Sequence, residues 1–440
     1  MVCSDTSDCA HDDVLERLTA LVNKNLLQVT QNEDKLRFTM LETIREFGLA
    51  QLAACQELTA FQERHARYFA HMVNEQAPRL MSAESTNARM QIQAAYANVR
   101  IALQWLLVQR EVTRCLDLCN DLSHFWTLTE QHKEAETYLQ ATLQLAAGSP
   151  PSPAYVNGLA SAGFVAFLRG QSELAARYYV QCLSMNDEID NLGNPKKIGA
   201  ANGLLAWRCF DQGDYQAAQR YFAAAQANDI ATGDEWALAM TLANRGKMAA
   251  ELGDFAQAEA LLQEALLRHR RIGQPWGIAG VLTRQGRLYI LQRNFAEAAR
   301  VLAERAAMTT ETMFAEPKTL LAIGALEKGE YDRASALLKE ALLYEQERGA
   351  PRYLLPVIEG IVRLAVKQGD YCAALSLTGA ICAQRRQLKL VMPPVEKQWI
   401  EEAVVMARRQ LSEESANSAW SAGEAMTLDE AVAYALAATE

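Results

Sequence analysis

The sequence predicts a mostly all-α protein: an α-solenoid of helical hairpins preceded by a small N-terminal segment of helix, hairpin and helix. Three observations carry that prediction. A unit of about 40 residues recurs along most of the chain, the size of one helical-hairpin repeat. The units turn at Gly-Asp-aromatic, as in Gly213-Asp214-Tyr215, Gly253-Asp254-Phe255 and Gly369-Asp370-Tyr371. After each turn apolar residues keep helical spacing, as at Ala258, Leu261, Leu262, Ala265 and Leu266.

The clearest unit runs from Gly233 to Gln274, with Leu242, Gly246 and Ala249 before its turn. The next has Gly273-Gln274-Pro275-Trp276, Gly286, Arg293-Asn294-Phe295 and Ala298; another turns at Gly329-Glu330-Tyr331, and weaker copies turn at Gly170 and Glu130. Small residues (Gly163, Ala206, Gly246 and Gly286 in first helices; Ala218, Ala258, Ala298, Ala334 and Ala374 in second helices) let two backbones approach, and the turn aromatic fills the wedge below. One hairpin alone leaves an apolar face exposed, so hairpins must stack. The boundary glycine suits a left-handed helix C-cap, and the Pro or acidic residue after it suits a new helix start. From Val112 to Arg386 the pattern resembles the tetratricopeptide repeat, in the longer form found in large bacterial regulatory ATPases rather than the common form of about 34 residues. Arg293 in place of Gly, and Arg305 in place of a later small residue, depart from it.

The chain has 440 residues and a net charge of -10, with a pI near 5.3. That balance argues against bulk electrostatic binding of nucleic acid. No apolar run reaches the length of a membrane span, and the acidic start carries no export signal, so a cytoplasmic protein is expected. The nine cysteines are scattered over helical patterns, as small buried apolar residues would be, not as a disulfide framework. Cys3, Cys9 and His11 could be read as metal ligands, but no partner cluster follows at zinc-site spacing.

Residues 1-12 are polar and read as a disordered tail. In residues 13-55, Val14, Leu15, Leu18, Leu21 and Val22 make an amphipathic helix that Asn25 ends. Leu26–Thr30 and Leu36–Met40 read as strands around a turn at residues 31–34, and a helix starts at Leu41. This order is that of part of a winged-helix domain. Leu18–Leu27 and Arg37–Phe47 resemble the winged-helix end of the nucleotide-switch module in STAND/LuxR-type bacterial transcriptional regulators, AfsR-like and maltose-activator-like. In that family a Met-His-Asp motif contacts nucleotide through its His; here the triplet is Met40-Leu41-Glu42, and leucine cannot hydrogen-bond a phosphate. No Gly-x-x-x-x-Gly-Lys-Ser/Thr loop is present either; the nearest run is Gly246-Lys247-Met248. Between Asp13 and Leu52 five basic residues face six acidic ones, so the segment reads as a packing module rather than a DNA reader.

Residues 56-111 read as a helical arm. One apolar face is Phe61, His65, Tyr68, Phe69 and Met72, broken at Pro78; a second is Ile92, Tyr96, Val99, Leu103, Leu106 and Leu107. Arg64–Phe69 and Asn98–Leu107 resemble the arm that joins switch module to repeats in the same regulators. Residues 112-391 are the repeats, with a flexible Gly-Ser-Pro-Pro-Ser-Pro linker at 148–153. In residues 392-440 a helix from Val395 to Leu411 is expected to cap the stack, and Thr427-Leu428-Asp429-Glu430 matches a capping box. Ala419–Ala435 resembles the tail that leads into a LuxR-type helix-turn-helix, and that domain and the nucleotide-binding domain are expected to be separate or missing.

No Ser/His/Asp, Cys/His or clustered-carboxylate arrangement can be argued from spacing, so catalysis is not expected, and neither is a cofactor. Binding is. First-helix positions about six before the turn read His124, Phe164, Trp207, Lys247, Arg287 and Arg363, and three positions earlier stand Asn244 and Arg284. Trp207, Asn244, Lys247, Arg284 and Arg287 are the candidate ligand-binding residues of the concave face. Mutual repulsion of the three cations would make an electropositive pocket that favours an anionic partner. The alternative is that these are solvated side chains of a passive adaptor. The expected role is that of a sensor and interaction fragment of a signalling-ATPase-type regulator, which binds a protein or small molecule on its repeats and passes this on through the arm. Direct nucleic-acid or membrane binding is not expected.

Overall fold

The structure, a computed structural model, describes residues 11–32, 35–148, 150–188, 194–308, 316–348 and 351–439. Helix α1 (His11–Asn23) ends where Asn25 takes a left-handed conformation, φ 55°. Strands β1 (Gln28–Asn32) and β2 (Lys35–Thr39) pair antiparallel with Val29 opposite Phe38, and α2 (Glu42–Ala54) follows. Helix, hairpin and helix thus come in the expected order, but they enclose little core of their own. Leu27 is buried, whereas Met40, Leu41 and Phe47 are exposed.

The arm is α3 (Leu58–Gln76) and α4 (Ser85–Val108), joined by a 3₁₀ turn at Ala77–Met81 where Pro78 sits. Ala66 and Val73 of α3 are buried against Ile92, Tyr96, Val99, Leu103 and Leu106 of α4. Tyr68, assigned to the apolar face from sequence, is exposed; in its place the small Ala66 lets α4 come close. The cysteines also divide: Cys115, Cys119 and Cys182 are buried, but Cys55 and Cys372 are exposed. Cys3 and Cys9 lie outside the described residues.

Among the described residues seven hairpins follow: α5 (Val112–Leu128) with α6 (His132–Ala146), α7 (Pro153–Leu168) with α8 (Ser172–Glu188), α9 (Pro195–Asp211) with α10 (Tyr215–Thr232), α11 (Glu235–Leu252) with α12 (Phe255–Ile272), α13 (Pro275–Leu291) with α14 (Phe295–Ala306), α15 (Glu316–Glu327) with α16 (Tyr331–Arg348), and α17 (Pro351–Gln368) with α18 (Tyr371–Leu388). The chain is therefore an α-solenoid of tetratricopeptide-like hairpins. Its turn motif is two caps in series. Gly253 takes φ 90°, which closes α11, and the Asp254 carboxylate accepts the Gln257 N–H at 3.1 Å, which opens α12. Asp214 and Asp370 do the same for Ala217 and Ala373, each at 2.9 Å. Arg293, the departure from the pattern, keeps the same turn at φ 59°.

Close approach explains the small residues. A Cβ on Gly246 would lie 2.8 Å from the Leu262 Cγ, and one on Gly286 would lie 2.6 Å from a Leu302 methyl. First helices pack on first helices of the neighbouring hairpins, α7 on α9, α9 on α11 and α11 on α13, and so form the inner wall. The stack curves until its sixth hairpin meets its first: the Tyr344 hydroxyl of α16 donates to Glu130, in the first hairpin turn, at 2.6 Å. Ala83 of the arm lies against Gly273, the turn between α12 and α13.

The C-terminal part is α19 (Pro394–Gln410), α20 (Glu413–Glu424) and α21 (Leu428–Ala437). The capping box at Thr427 and Glu430 is formed. The first of these helices does more than lie on the last hairpin. Helix α19 packs on α17 and α18 and also reaches back to α11, across the inner wall. It bridges two cores, with Val395 and Trp399 against one and Ile400 within the other. Helix α20 packs on α18 through glycines, where a Cβ on Gly423 would run into the Ser376 carbonyl oxygen.

Candidate functional site

Because the first helices face inward, a residue at one position of each repeat recurs along the wall. Phe164, Trp207, Lys247, Arg287 and Arg363 line one cavity of about 340 Å³, with Asn244 and Arg284 beside them. All five candidate ligand residues are therefore brought together. His124 is not: it packs edge-on to Trp236 at 5.8 Å, and burial, helped by the charge of Lys197, pushes its pKa down to about 4. The opposite side of the cavity comes from Leu390, Val391, Pro393 and Glu396, at the start of α19 and just before it. Its walls include Phe167, Leu204, Trp276 and Leu320.

The Lys247 ammonium sits 5.2 Å from the centre of the Trp207 ring, a cation–π arrangement. Arg284 donates to the Asn244 side chain at 2.9 Å and to the Gly280 carbonyl at 3.0 Å. Arg287 has an exposure of only 12 % and pairs with Glu251 at 2.8 Å, with Glu316 at 3.5 Å and with Glu396 of α19. Arg385 pairs with Glu359 at 2.6 Å and reaches Glu396 at 3.8 Å.

These acids correct the expectation of an electropositive pocket. Among the described residues, six basic and six acidic side chains line the cavity. Lys247 lies 3.8 Å from Glu251 and 3.9 Å from Glu316, so attraction replaces the repulsion inferred from the cations alone. Burial opposes the charge of Arg287, but Glu396, Glu251 and Glu316 outweigh it and hold the guanidinium above its ordinary pKa. Burial likewise opposes ionisation of Glu396 and Glu316; for Glu396 the guanidinium of Arg287 with Arg385, and for Glu316 Lys247 with Arg287, hold the carboxyl below the usual range. For Glu251 and Glu359 burial wins and raises the pKa. For Arg363 burial lowers the pKa to about 10 despite Glu359 and Glu396. Such a mixed wall offers apolar contact, hydrogen-bond donors and acceptors of both charges.

The sequence signal missed the acids. Glu251 was findable, since it stands one helical turn after Lys247 on the same face. Glu316 and Glu396 come from distant elements, and no local spacing points to them.

A family model for the tetratricopeptide repeat matches residues 238–272, which are most of α11 and all of α12. Proteins of Mycobacterium bovis and Mycobacterium tuberculosis, named by inference as HTH-type transcriptional regulators, are 26% identical over 260 residues. The match takes in 56% of this chain and 28% of theirs, so the chain spans little more than a quarter of the length of the curated relatives it matches. Among solved structures, the apo quorum sensor NprR of B. thuringiensis is similar at a TM-score of 0.49 and 14% identity, over 86% of this chain and 97% of that one. A Rap protein complexed with Competence and Sporulation Factor is similar at 0.49 and 12%, over 77% and 99%. Among the described residues no helix is long and apolar enough to cross a membrane.

Proposed function

We propose that this chain is the ligand-sensing and partner-binding part of a STAND-like bacterial transcriptional regulator, and that its ligand occupies the cavity between the inner wall and α19. One observation carries the reading: the five concave-face residues converge on one walled cavity, of a size suited to a small metabolite. The tetratricopeptide match and the similarity to mycobacterial regulators support it.

The ligand class follows from the lining. Phe164, Phe167, Leu204, Trp207 and Trp276 suit an apolar body, and Asn244 with Arg284 suits one polar, hydrogen-bonding end. Since the acids cancel the bulk charge, selection rests on hydrogen-bond geometry rather than on a positive field. The contact of Ala83 with Gly273 gives the arm a mechanical link to the α12–α13 turn, and hence to the sensing wall. Neither catalysis nor direct DNA contact is assigned to these residues.

A thermal-shift screen of small metabolites on the whole chain tests this. A hit should stabilise it as RT ln(1+[L]/Kd), about 2.7 kcal/mol at a hundredfold excess over Kd. Trp207→Ala and Asn244→Ala should abolish the shift while leaving the circular dichroism unchanged. A hit that both variants bind as well as the parent would place the ligand elsewhere. A screen without hits, with a pull-down that captures a protein, would favour the passive adaptor.

A further inference from the structure

Helix α19 lies on the inner wall through a set of contacts that reads as a recognition code. Glu396 reaches Arg287 and Arg385. One turn later the Trp399 ring is flanked by two guanidiniums, Arg363 at 3.9 Å and Arg293 at 5.1 Å from its centre. Ile400 is buried beside it, and Glu402 pairs with Arg293. Ahead of the helix, the Val391 N–H donates to the Asp211 carbonyl at 2.6 Å. Acid, aromatic, aliphatic and acid therefore stand at i, i+3, i+4 and i+6 of one helix, facing four arginines supplied by α13, the α13–α14 turn, α17 and α18.

Two further observations distinguish α19 from a structural helix. Its neighbour α20 is locked to α18 by backbone contact at Gly379 and Gly423, whereas the buried residues of α19 are only Glu396, Ile400 and Ala407. Its seat combines this charge and cation–π set, which contributes little net stability once desolvation is counted, with apolar contacts of Val395, Ile400, Val404 and Ala407. Val405 and Met406 on its outer side are half exposed, and non-helical links at Lys389–Pro393 and Leu411–Ser412 flank it, so it can leave without unwinding a neighbour.

We propose that the inner wall is a docking groove for an amphipathic partner helix with this acid–aromatic–aliphatic–acid face, and that α19 occupies the groove in cis until such a helix displaces it. The four arginines select the face: Arg287 and Arg385 take the first acid, Arg363 and Arg293 clamp the aromatic, and Arg293 takes the second acid. The inference shares with the reading above only that the concave face binds; it needs no small-molecule ligand.

The probe is a fluorescein-labelled synthetic peptide of residues 390–411, measured by anisotropy against the whole chain. A groove filled in cis about 99 % of the time lowers apparent affinity about a hundredfold. The parent chain should therefore bind the peptide weakly, and the E396Q/W399L chain, whose own helix is poorly seated, at least about tenfold more tightly. A peptide carrying the same two changes should bind neither. If the double variant loses helical circular dichroism, E396Q alone, which keeps the side-chain shape, carries the test with a smaller gain. Equal binding by parent and variant, binding by neither, or equal binding of the altered peptide would overturn the proposal. The small-molecule reading stands or falls separately: a thermal-shift hit lost in Trp207→Ala survives a failed peptide assay, and a positive peptide assay survives an empty screen.

Discussion

Replacing Arg287 by methionine keeps an unbranched apolar stem and removes the cation that three carboxylates share. Glu251 and Glu396 are 4 % and 8 % exposed at the side chain, and Glu316 is 28 % exposed. Removing one partner of a buried ion pair costs about 3–5 kcal/mol. Lys247 and Arg385 remain near the acids, so the lower end, about 3 kcal/mol at neutral pH, is expected. The sign of the pH dependence is the sharper test. In the parent, Glu396 and Glu316 have folded pKa values below the ordinary 4.5, so their contribution is present above that value and is lost as pH falls through the folded ones. Glu251 and Glu359 are raised, so their contribution is present below the ordinary value and is lost as pH rises through the folded ones. The two windows lie on opposite sides of the ordinary value and do not cancel: above it only the raised pair titrates, so the parent loses some stability as pH rises through the folded pKa values of Glu251 and Glu359. Without Arg287, burial dominates at Glu396 and raises Glu251 further, so acidification from about pH 7.5 to about pH 5.5 should restore part of the variant's lost stability. Urea unfolding followed by circular dichroism reads this, and hydrogen exchange in α11, α13 and α19 localises it. A loss below about 1 kcal/mol, the range of an exposed pair, or a loss that acid leaves unchanged, would refute the buried network.

Ala258→Leu should cost about 1–3 kcal/mol by overpacking, because Ala258 is fully buried and its carbonyl lies 3.3 Å from where a Gly246 Cβ would sit. The loss should spread to the adjacent hairpins, and an unchanged urea midpoint would mean the position is not at the helix contact. Gly423→Ala should cost about 3 kcal/mol, the upper end of the overpacking range, since its Cβ would collide with the Ser376 backbone; limited proteolysis releasing the segment from α20 onward is the readout. Asp254→Ala should cost about 1 kcal/mol through the lost N-cap, with faster exchange confined to the start of α12. Leu41 cannot hydrogen-bond a phosphate and the sequence holds no P-loop, so calorimetry at micromolar ATP or ADP should give no saturable heat.

The apolar and polar periodicities, the turn residues and the small residues were legible because they act within about 40 residues. Gly253 and Asp254 each satisfy a helix end by local geometry, so the turn could be read without knowing what surrounds it. Gly246 and Gly286 betrayed the close helix contacts for the same reason. The inward-facing set was also legible, since stacking equivalent hairpins puts equivalent positions on one wall, and Trp207, Asn244, Lys247, Arg284 and Arg287 do line one cavity. Its electrostatic character was not. From sequence, three cations near one another imply repulsion; in the fold, Glu316 from another hairpin and Glu396 from α19 neutralise them. The position of α19 was equally hidden, because its amphipathic pattern reports that one face is buried but not against what. Superhelical curvature decided that. It is the accumulated rotation of seven hairpins, and it brings α11, α13 and α17 around the same helix, so the pairing of Arg287 with a carboxylate 109 residues away exists only in the folded chain.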